Sequence, residues 1–529
     1  REPKMVLRRG RKTAAAPRHR RAAAVAQRHR GGGRRPPTGS VAQGGARLDG
    51  VWPIISNTRV LAVNQRWAGH QLGRALSAAG PAQLYMRLAA SLMASLGLAD
   101  GDHLVAFLSN RLEMASLYWA CQTIGAIFTP FNWRASGPEM AYVINDAEAK
   151  LVVYEERSAA SAMAAVVEAG LPEDRVIHLD GGVGVDFGPV ADGKPYDGRQ
   201  PSAENGICLM LYTSGTTGRP KGVPRSHAAE RVAALNCISQ LHYRHGEIAL
   251  GVMPLFHTMG IRSLLMSAFL NGCFVCMPAY NTEAALGLVQ RERISSLFLV
   301  PTMFHDIVHH EGLSKFDLSS VSNIAYAGMS MTAALVESCA ALFPDAEFSN
   351  FYGSSEIYTF AVRNNLAENP GSAGRAGIGQ ILRVVRADVD ERVGSDEQVS
   401  VGETGEIIAS MMALDAFTGY WKRPDADEKS IREGWYFTGD LGRFDENGEV
   451  YVLGRVDDMI ISGGENIYAE EVEDVLSKSP DVLGVAVIGM EDERWGERVT
   501  AFVEPAGNDA SPARLDAFCL DSGLARFKR

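Results

Sequence analysis

The chain is 529 residues long, its composition is 46% hydrophobic and 22% charged, and its formal net charge at pH 7 is −10. This length exceeds what one compact core holds, so we expect two or three domains, and the composition is typical of a soluble globular enzyme. Residues 1–48 contain fourteen lysines and arginines but one acid, and this +13 leaves −23 on the remainder. Such a charge argues against nucleic acid as a partner of the main body.

Residues 1–50 are rich in Ala, Arg, Gly and Pro and contain few large apolar side chains. We interpret them as a disordered or non-native extension, because Gly and Pro clusters interrupt the amphipathic helix that a transit peptide requires. The seven cysteines are an odd number without disulfide-like spacing, which indicates a reducing compartment. No apolar run approaches the about 20 residues that cross a bilayer, so we expect a cytoplasmic protein with no membrane span.

Beyond residue 50, short apolar runs alternate with amphipathic segments, except in residues 51–84, where no element can be assigned. The pattern predicts buried strands at 104–108, 151–154, 295–300, 321–326 and 347–351, and helices at 113–124 and 137–146. Alternation of this kind indicates parallel sheets covered by helices, with ligands at the strand ends. Cys273 and Cys276 lie in a further apolar run, which we interpret as a buried strand rather than a metal or redox site.

The loop at residues 212–222 concentrates glycines, hydroxyl side chains and one lysine directly after the apolar run 207–211. Glycines allow backbone N–H groups to approach phosphate, hydroxyls add donors and Lys221 adds a positive charge, so the loop predicts a polyphosphate site. A Walker A loop is excluded because Pro220 precedes the lysine and Gly222 follows it. A flexible surface turn is the alternative interpretation.

This loop resembles the signature of the adenylate-forming superfamily, which includes acyl-CoA synthetases, peptide-synthetase adenylation domains and luciferases. Four further segments follow in the family's order, at residues 254–260, 325–329 with 350–356, 435–440 and 454–466. The resemblance covers about residues 85–529 and implies ATP, Mg²⁺ and coenzyme A as cofactors or substrates. It also implies an α/β fold, with helix-covered, mostly parallel sheets in a large N-terminal domain (51–453) and a small, mobile, incomplete α+β C-terminal domain (454–529).

The resemblance assigns the catalytic and metal-binding roles to Lys221, Glu356, His257 and Thr217. Lys221 and the hydroxyls of the loop would hold the ATP phosphates, and Glu356 with Thr217 would hold the metal. His257 would gate the acyl pocket, although a lone histidine beside apolar residues is more often part of a core. The loop residues assigned to nucleotide binding are Thr213, Ser214, Gly215, Thr216 and Gly218.

Further nucleotide contacts are implied downstream. Tyr352 and the Ala327-Gly328 turn would enclose adenine, with Gly353 beside them and Ser355 where the family usually has threonine. Asp440 would accept hydrogen bonds from the ribose hydroxyls. Taken alone, these segments read as a strand–turn–helix junction and a Thr-Gly-Asp turn.

The C-terminal segments resemble bacterial aryl-CoA ligases of the 4-chlorobenzoate type. By that resemblance Arg455 contacts the nucleotide, Asp457 is the hinge between two domain orientations, and Gly463 and Gly464 line the pantetheine tunnel. Trp495 is either a platform for the CoA nucleotide or a half-buried packing residue. A helix at 469–476, with Val472, Val475 and Leu476 inward, and strands at 482–488 and 499–503 are also predicted.

The family's final lysine motif is expected about twenty residues beyond Arg529, so the resemblance predicts a chain that is incomplete at its C-terminus. Neither Lys528 nor Lys478 lies in the context of that lysine. The resemblance therefore predicts that the chain is poor at forming the adenylate.

Together these features predict an AMP-forming carboxylic acid:CoA ligase. The expected pocket wall is apolar and contains no evident arginine, which favours an aryl, alicyclic or medium-chain fatty acid over a dicarboxylate. Its residues are His257, Met259, Ala327, Tyr358 and Thr359. An enzyme that loads a carrier protein and a non-catalytic nucleotide-binding homologue remain alternatives, and a homodimer remains open.

Overall fold

The computed structural model describes residues 59–62, 87, 89–187, 196, 205–213, 219–388, 391–462, 465–492, 494–506, 511–525 and 528. The predicted extension at residues 1–50 lies outside these ranges. So do loop residues Ser214, Gly215, Thr216, Thr217 and Gly218, and the pair Gly463 and Gly464.

Strands and helices alternate through most of the described chain. The first fifteen strands are β1 (Arg59–Ala62), β2 (His103–Phe107), β3 (Ile127–Pro130), β4 (Leu151–Tyr154), β5 (Val176–His178), β6 (Val185–Asp186), β7 (Ile207–Thr213), β8 (Lys221–Ser226), β9 (Ile248–Gly251), β10 (Cys273–Cys276), β11 (Ser296–Leu299), β12 (Asn323–Tyr326), β13 (Glu347–Tyr352), β14 (Ala361–Arg363) and β15 (Arg375–Ala376). The later strands are β16 (Leu382–Val385), β17 (Gly405–Ser410), β18 (Ile431–Arg432), β19 (Trp435–Phe444), β20 (Val450–Arg455), β21 (Ile460–Ser462), β22 (Glu465–Ile467), β23 (Val482–Asp492) and β24 (Gly496–Pro505).

The helices follow the same order. They are α1 (Leu112–Ile124), α2 (Gly137–Asp146), α3 (Ala159–Ala169), α4 (His227–Gln240), α5 (Thr258–Phe269), α6 (Thr282–Glu292), α7 (Pro301–Val308), α8 (Ala333–Leu342), α9 (Pro424–Ser430), α10 (Ala469–Ser477) and α11 (Pro512–Asp521). Within the described ranges, no helix has both the length and the apolar character needed to cross a membrane.

Two large, mostly parallel sheets form the body of the protein. The first has the order β6-β5-β4-β2-β3-β7-β8, and only its β7–β8 pair is antiparallel. The second has the order β1-β10-β9-β11-β12-β13-β14-β15 and is parallel as far as β13. Every residue of β2, β3 and β4 is buried, because helices cover both faces of a parallel sheet and its strands become continuously apolar.

Two smaller sheets follow. The third contains β16, β17, β19, β18 and β20 and is antiparallel. The fourth has the order β22-β21-β24-β23, and its core includes Ile467, Val472, Leu476 and Val487, with Val475 packed against it. The α/β fold with a large N-terminal domain of mostly parallel sheets and a small C-terminal domain is thus confirmed. The exact boundary after residue 453 stays a prediction.

Most element predictions are correct to within a few residues. The run at Cys273 and Cys276 is buried strand β10, and all seven cysteines are buried. The prediction left residues 51–84 unassigned, whereas Arg59–Ala62 forms β1 and pairs in parallel with β10. A strand of four residues at the edge of a sheet has too little periodicity to be recognised from the sequence. Its pairing with β10 is what defines it as a strand.

Candidate active site

Turns at the ends of two neighbouring parallel strands form one wall of the site. β12 is followed by Ala327 and Gly328, and β13 by Gly353, and the strands pair in register. Gly328 has φ +91°, a left-handed conformation that glycine adopts without strain. A Cβ atom on Gly353 would lie 2.0 Å from the carbonyl oxygen of Tyr358. A side chain is therefore excluded at Gly353 by lack of space and disfavoured at Gly328 by the backbone conformation.

Tyr352, Asp440 and Arg455 form a hydrogen-bonded triad. The Tyr352 hydroxyl donates to Oδ2 of Asp440 at 2.6 Å, and Nη1 of Arg455 donates to Oδ1 of the same carboxylate. Asp440 and Arg455 are direct partners on the antiparallel strands β19 and β20. Burial raises the pKa of Asp440, and Arg455 and Tyr352 oppose that rise. Three residues that the sequence singled out separately are thus in direct contact.

Glu356 and Lys221 are linked through Tyr420. The Tyr420 hydroxyl donates to Oε1 of the buried Glu356 at 2.6 Å, and Nζ of Lys221 lies 4.3 Å from the centroid of the Tyr420 ring. Burial lowers the pKa of Lys221, and the charge of Glu356 acts in the opposite direction. Sequence reasoning missed Tyr420, because no spacing relates it to either residue and the contact depends on packing.

The flanks of the predicted phosphate loop are held from outside. Thr213 at the end of β7 pairs with Lys221 at the start of β8, so the two ends of the loop lie side by side. The Tyr142 hydroxyl donates to the Pro220 carbonyl at 3.1 Å, and the backbone N–H of Trp421 donates to the Gly222 carbonyl at 2.9 Å. The backbone on both sides of the loop is therefore held in place, at Thr213 and at residues 220–222.

His257 and Thr258 connect α5 to the turn that carries Glu356. His257 precedes α5 as its N-cap, and its exposed side chain contacts the Phe256 ring at a centroid distance of 4.7 Å. Partial desolvation lowers the pKa of His257. The Thr258 and Ser355 hydroxyl oxygens are 2.9 Å apart. The exposure of His257 rules out the interpretation as a buried core histidine.

Four of the five residues expected to line the acyl pocket are buried, and a buried arginine lies beside one of them. Met259, Ala327, Tyr358 and Thr359 are buried as expected. However, the buried Arg262 lies beside Tyr358, with Cζ 5.5 Å from the ring centroid. The apolar character of the acyl pocket stays a prediction. Arg262 was not singled out from the sequence because it lies outside the motif segments, and it is helix packing that brings it beside Tyr358.

The remaining predicted residues lie in the C-terminal part. Asp457 is exposed in a short 3₁₀ turn, Val456–Asp458, that follows β20. Trp495 lies in the turn between β23 and β24, is 47% exposed, and has the Arg494 guanidinium 4.7 Å from its ring centroid. Nearly half of the indole surface is therefore accessible to a ligand.

Comparison with known proteins matches two regions of the chain. Residues 62–421 match the family described as AMP-binding enzyme, and residues 471–529 match the AMP-binding enzyme C-terminal domain. The chain belongs to the AMP-binding enzyme family. The larger match spans the segment from β1 to Trp421 and includes Lys221, His257, Glu356 and Tyr420.

Three curated relatives of this AMP-binding enzyme form acyl-CoA thioesters by name. It is 33% identical over 461 residues to a feruloyl-CoA synthase from Amycolatopsis sp, which covers 86% of this chain and 88% of the relative. It is 30% identical to the long-chain-fatty-acid–CoA ligase FadD13 from Mycobacterium tuberculosis, over 83% of this chain and 85% of the relative. It is 32% identical to a 4-chlorobenzoate–CoA ligase from Arthrobacter sp, over 83% of this chain and 82% of the relative. The predicted acyl-CoA synthetase group of the adenylate-forming superfamily is confirmed, and this AMP-binding enzyme belongs to the CoA ligase family.

A solved structure has the same fold as this AMP-binding enzyme. ATP-bound MatB from Rhodopseudomonas palustris superposes with a TM-score of 0.78 at 25% identity, over 89% of this chain and 90% of that chain. ATP binding by this AMP-binding enzyme is therefore supported by both the family and a structural neighbour.

Proposed function

We propose that the protein is an AMP-forming carboxylic acid:CoA ligase that activates an apolar aryl, alicyclic or medium-chain fatty acid through an acyl-adenylate. The observation that carries this proposal is the convergence of two constellations at the carboxyl end of β13, where Tyr352 ends the strand and Glu356 follows it. Tyr352, Asp440 and Arg455 form one, and Lys221 and Glu356, joined by Tyr420, form the other. A nucleotide requires both a nucleoside site and a phosphate site, and these two sets have the corresponding chemistry.

ATP would lie across the two constellations. Adenine would occupy the corner between Ala327-Gly328 and the Tyr352 ring, where the backbone approaches closely, and the ribose hydroxyls would donate to Asp440. Arg455 donates a hydrogen bond to the Asp440 carboxylate, and its charge opposes the rise in the pKa of Asp440 that burial causes. Lys221 would contact the phosphates together with Thr213 and the loop residues Ser214, Gly215, Thr216, Thr217 and Gly218.

Glu356 has the chemistry of a Mg²⁺ ligand. Its carboxylate offers hard oxygen donors, and the Tyr420 hydroxyl fixes one of them at 2.6 Å, so the side chain is already oriented. Thr217 would add a hydroxyl oxygen. A Mg²⁺ ion held by these oxygens would supply positive charge to the phosphates.

The reaction has two displacement steps. A carboxylate oxygen of the acid attacks the α-phosphorus of ATP, which forms the acyl-adenylate and releases pyrophosphate. The thiolate of CoA then attacks the acyl carbonyl, the bond to AMP breaks, and the thioester is released. The positive charge of Lys221 stabilises the phosphates during the first step, and His257 at the start of α5 screens the acyl group from water.

The second step requires a site for CoA. We assign it to the C-terminal part, where Gly463 and Gly464 would pass the pantetheine arm and the exposed indole of Trp495 would stack on the CoA nucleotide. Asp457, in an exposed turn after β20, would be the hinge, with the domain boundary at residues 453 and 454.

Product analysis tests this proposal. The full-length protein, including any residues that follow Arg529, is incubated with Mg·ATP, CoA and a panel of aryl, alicyclic and fatty acids, and the products are identified by mass spectrometry. We expect one dominant acyl-CoA with stoichiometric AMP. Absence of both acyl-adenylate and acyl-CoA across the panel would overturn the proposal.

One observation favours a second acceptor. A fatty acid–[acyl-carrier-protein] ligase, ScoC from Streptomyces coeruleorubidus, is 32% identical over 84% of this chain. A carrier-loading enzyme would use the same nucleotide site and differ only in the thiol. Acyl-adenylate that is consumed by a phosphopantetheinyl carrier protein but not by free CoA would identify this function.

A further inference from the structure

Arg262 is a buried cation in an apolar environment. It lies on α5, is 2% exposed, and its Cζ atom is 4.2 Å from the Phe351 ring centroid and 5.3 Å from that of Phe298. Met259, Ala327 and Tyr358 belong to the same apolar cluster as these two rings. Nη1 donates to the Tyr358 carbonyl at 3.1 Å, while Nε is buried without a hydrogen-bond partner.

A second buried arginine provides an internal comparison. Arg225 is fully buried, and its Nε donates to Oε1 of Glu230 at 2.8 Å. For Arg262, no carboxylate oxygen of the described residues lies within 4.0 Å. The buried Asp415 interacts with Arg262 through space, and the side chain that hydrogen-bonds to Arg262 is the thiol of Cys237, whose pKa burial raises to about 11. A buried cation without an ion-pair partner is strongly unfavourable, and contacts with aromatic rings offset only part of that penalty.

The position of Arg262 on α5 relates it to the candidate nucleotide site. Thr258 and Arg262 are four residues apart and share one face of α5. The Thr258 hydroxyl contacts Ser355, next to Glu356, so this face of the helix turns towards the nucleotide site. Arg262 therefore lies about 5–6 Å further along the helix, roughly the length of one aromatic ring.

We infer that Arg262 recognises an oxygen acceptor, a hydroxyl or a second carboxylate, at the end of the acid remote from the carboxylate that is activated. This inference rests on the proposed ligase function and refines its substrate class. The body of the acid remains apolar, to match Met259, Ala327 and Tyr358, but its far end carries one polar group. That group supplies the missing hydrogen-bond partner of a buried guanidinium, and an acid without it leaves the donor unpaired.

Matched pairs of acids test the inference. The pairs are benzoate with 4-hydroxybenzoate, hexanoate with 6-hydroxyhexanoate, and hexanoate with adipate, and kcat/KM is measured from pyrophosphate release. We expect the wild type to prefer the acceptor-bearing member of at least one pair by about tenfold or more. The hydroxy-acid and dicarboxylate pairs separate a neutral acceptor from an anionic one. A preference of the wild type for the unsubstituted acid in every pair would overturn the inference without any variant.

Substitution of the arginine provides the second arm. Arg262→Met should abolish the preference to within about twofold and raise relative activity on the unsubstituted acid, because the unpaired donor is gone. Arg262→Lys should retain part of the preference. Arg291→Met, which removes an exposed arginine paired with Glu292, is the matched control and should leave the ratio unchanged. A preference that survives in Arg262→Met would contradict the inference.

The two proposals fail in different ways. If no acid in the panel gives pyrophosphate or acyl-CoA, the ligase function fails. If acids are converted but the ratio within pairs does not depend on Arg262, only the present inference fails. Thermal unfolding of each variant identifies a substitution that disrupts the fold. If Arg262→Met does so, the inference is judged from the kcat/KM ratios within the pairs of acids for the wild type and for Arg262→Lys.

Discussion

Replacing Tyr420 with phenylalanine removes one hydroxyl from the candidate active site and leaves its ring in place. The hydroxyl donates to Oε1 of Glu356 at 2.6 Å, while the ring contacts Nζ of Lys221 at 4.3 Å. The substitution therefore separates the orientation of the carboxylate from the contact with the lysine. We expect the Glu356 carboxylate to lose its fixed orientation while Lys221 stays where it is.

The size of the effect follows from burial. Tyr420 and Glu356 are each 5% exposed, so water does not replace the lost donor. A hydrogen bond to a charged group contributes about 1.5–3 kcal/mol, and each ~1.4 kcal/mol is a factor of ten. If the carboxylate orientation is needed for adenylation, kcat/KM for Mg·ATP should fall about 10- to 150-fold. The free energy of unfolding should fall by about 1–3 kcal/mol, because one buried carboxylate oxygen is left without its donor.

A double-mutant cycle with Glu356→Gln measures this coupling through pyrophosphate release and urea unfolding. Tyr451→Phe, which removes a hydroxyl that accepts from the Asn369 amide, is the control and should leave kcat/KM unchanged. Additive effects of the two substitutions, within about 0.5 kcal/mol, would refute the reasoning, because residues that act through one hydrogen bond are not additive. So would a kcat/KM for Tyr420→Phe within about twofold of the wild type, given the strength of such a bond.

Three further predictions follow from the same site. Asp440→Asn removes the charge that Arg455 pairs with, and KM for ATP should rise about tenfold or more in steady-state assays; an unchanged KM would contradict the ribose role. Gly353→Ala places a Cβ atom 2.0 Å from the Tyr358 carbonyl oxygen, and urea unfolding should show a loss of about 1–3 kcal/mol, whereas wild-type stability would show that the backbone shifts freely. Burial lowers the pKa of Lys221, so kcat/KM for ATP should begin to fall at a lower pH than it would with an ordinary lysine. Lys221→Arg should move that fall to higher pH. Identical pH profiles of the variant and the wild type would exclude Lys221 as the titrating group.

Hydrophobic patterns predicted the elements well where the pattern is long or strongly biased. The helix Gly137–Asp146 and the strand Leu151–Tyr154 were predicted with their exact bounds. Arg59–Ala62 was missed, because four residues at the edge of a sheet carry no distinctive periodicity.

The candidate site was predicted in part. The resemblance of short motifs to the adenylate-forming superfamily identified Tyr352, Glu356 and Asp440 as residues of interest. Tyr420 and Arg262 were not predicted. Each lies outside the recognisable segments, and each has its significance only through a neighbour that is distant in sequence.

The sequence by itself determined the family, the alternation of strands and helices, and the types of residue available for nucleotide chemistry, because these depend on local composition and short motifs. Only the tertiary structure decided which side chains meet. The antiparallel register of β19 and β20 brings Arg455 to Asp440, and packing of α5 buries Arg262 beside Tyr358. Hydrogen bonds and ion pairs between distant segments depend on how sheets and helices pack, and local sequence patterns carry no information about that packing.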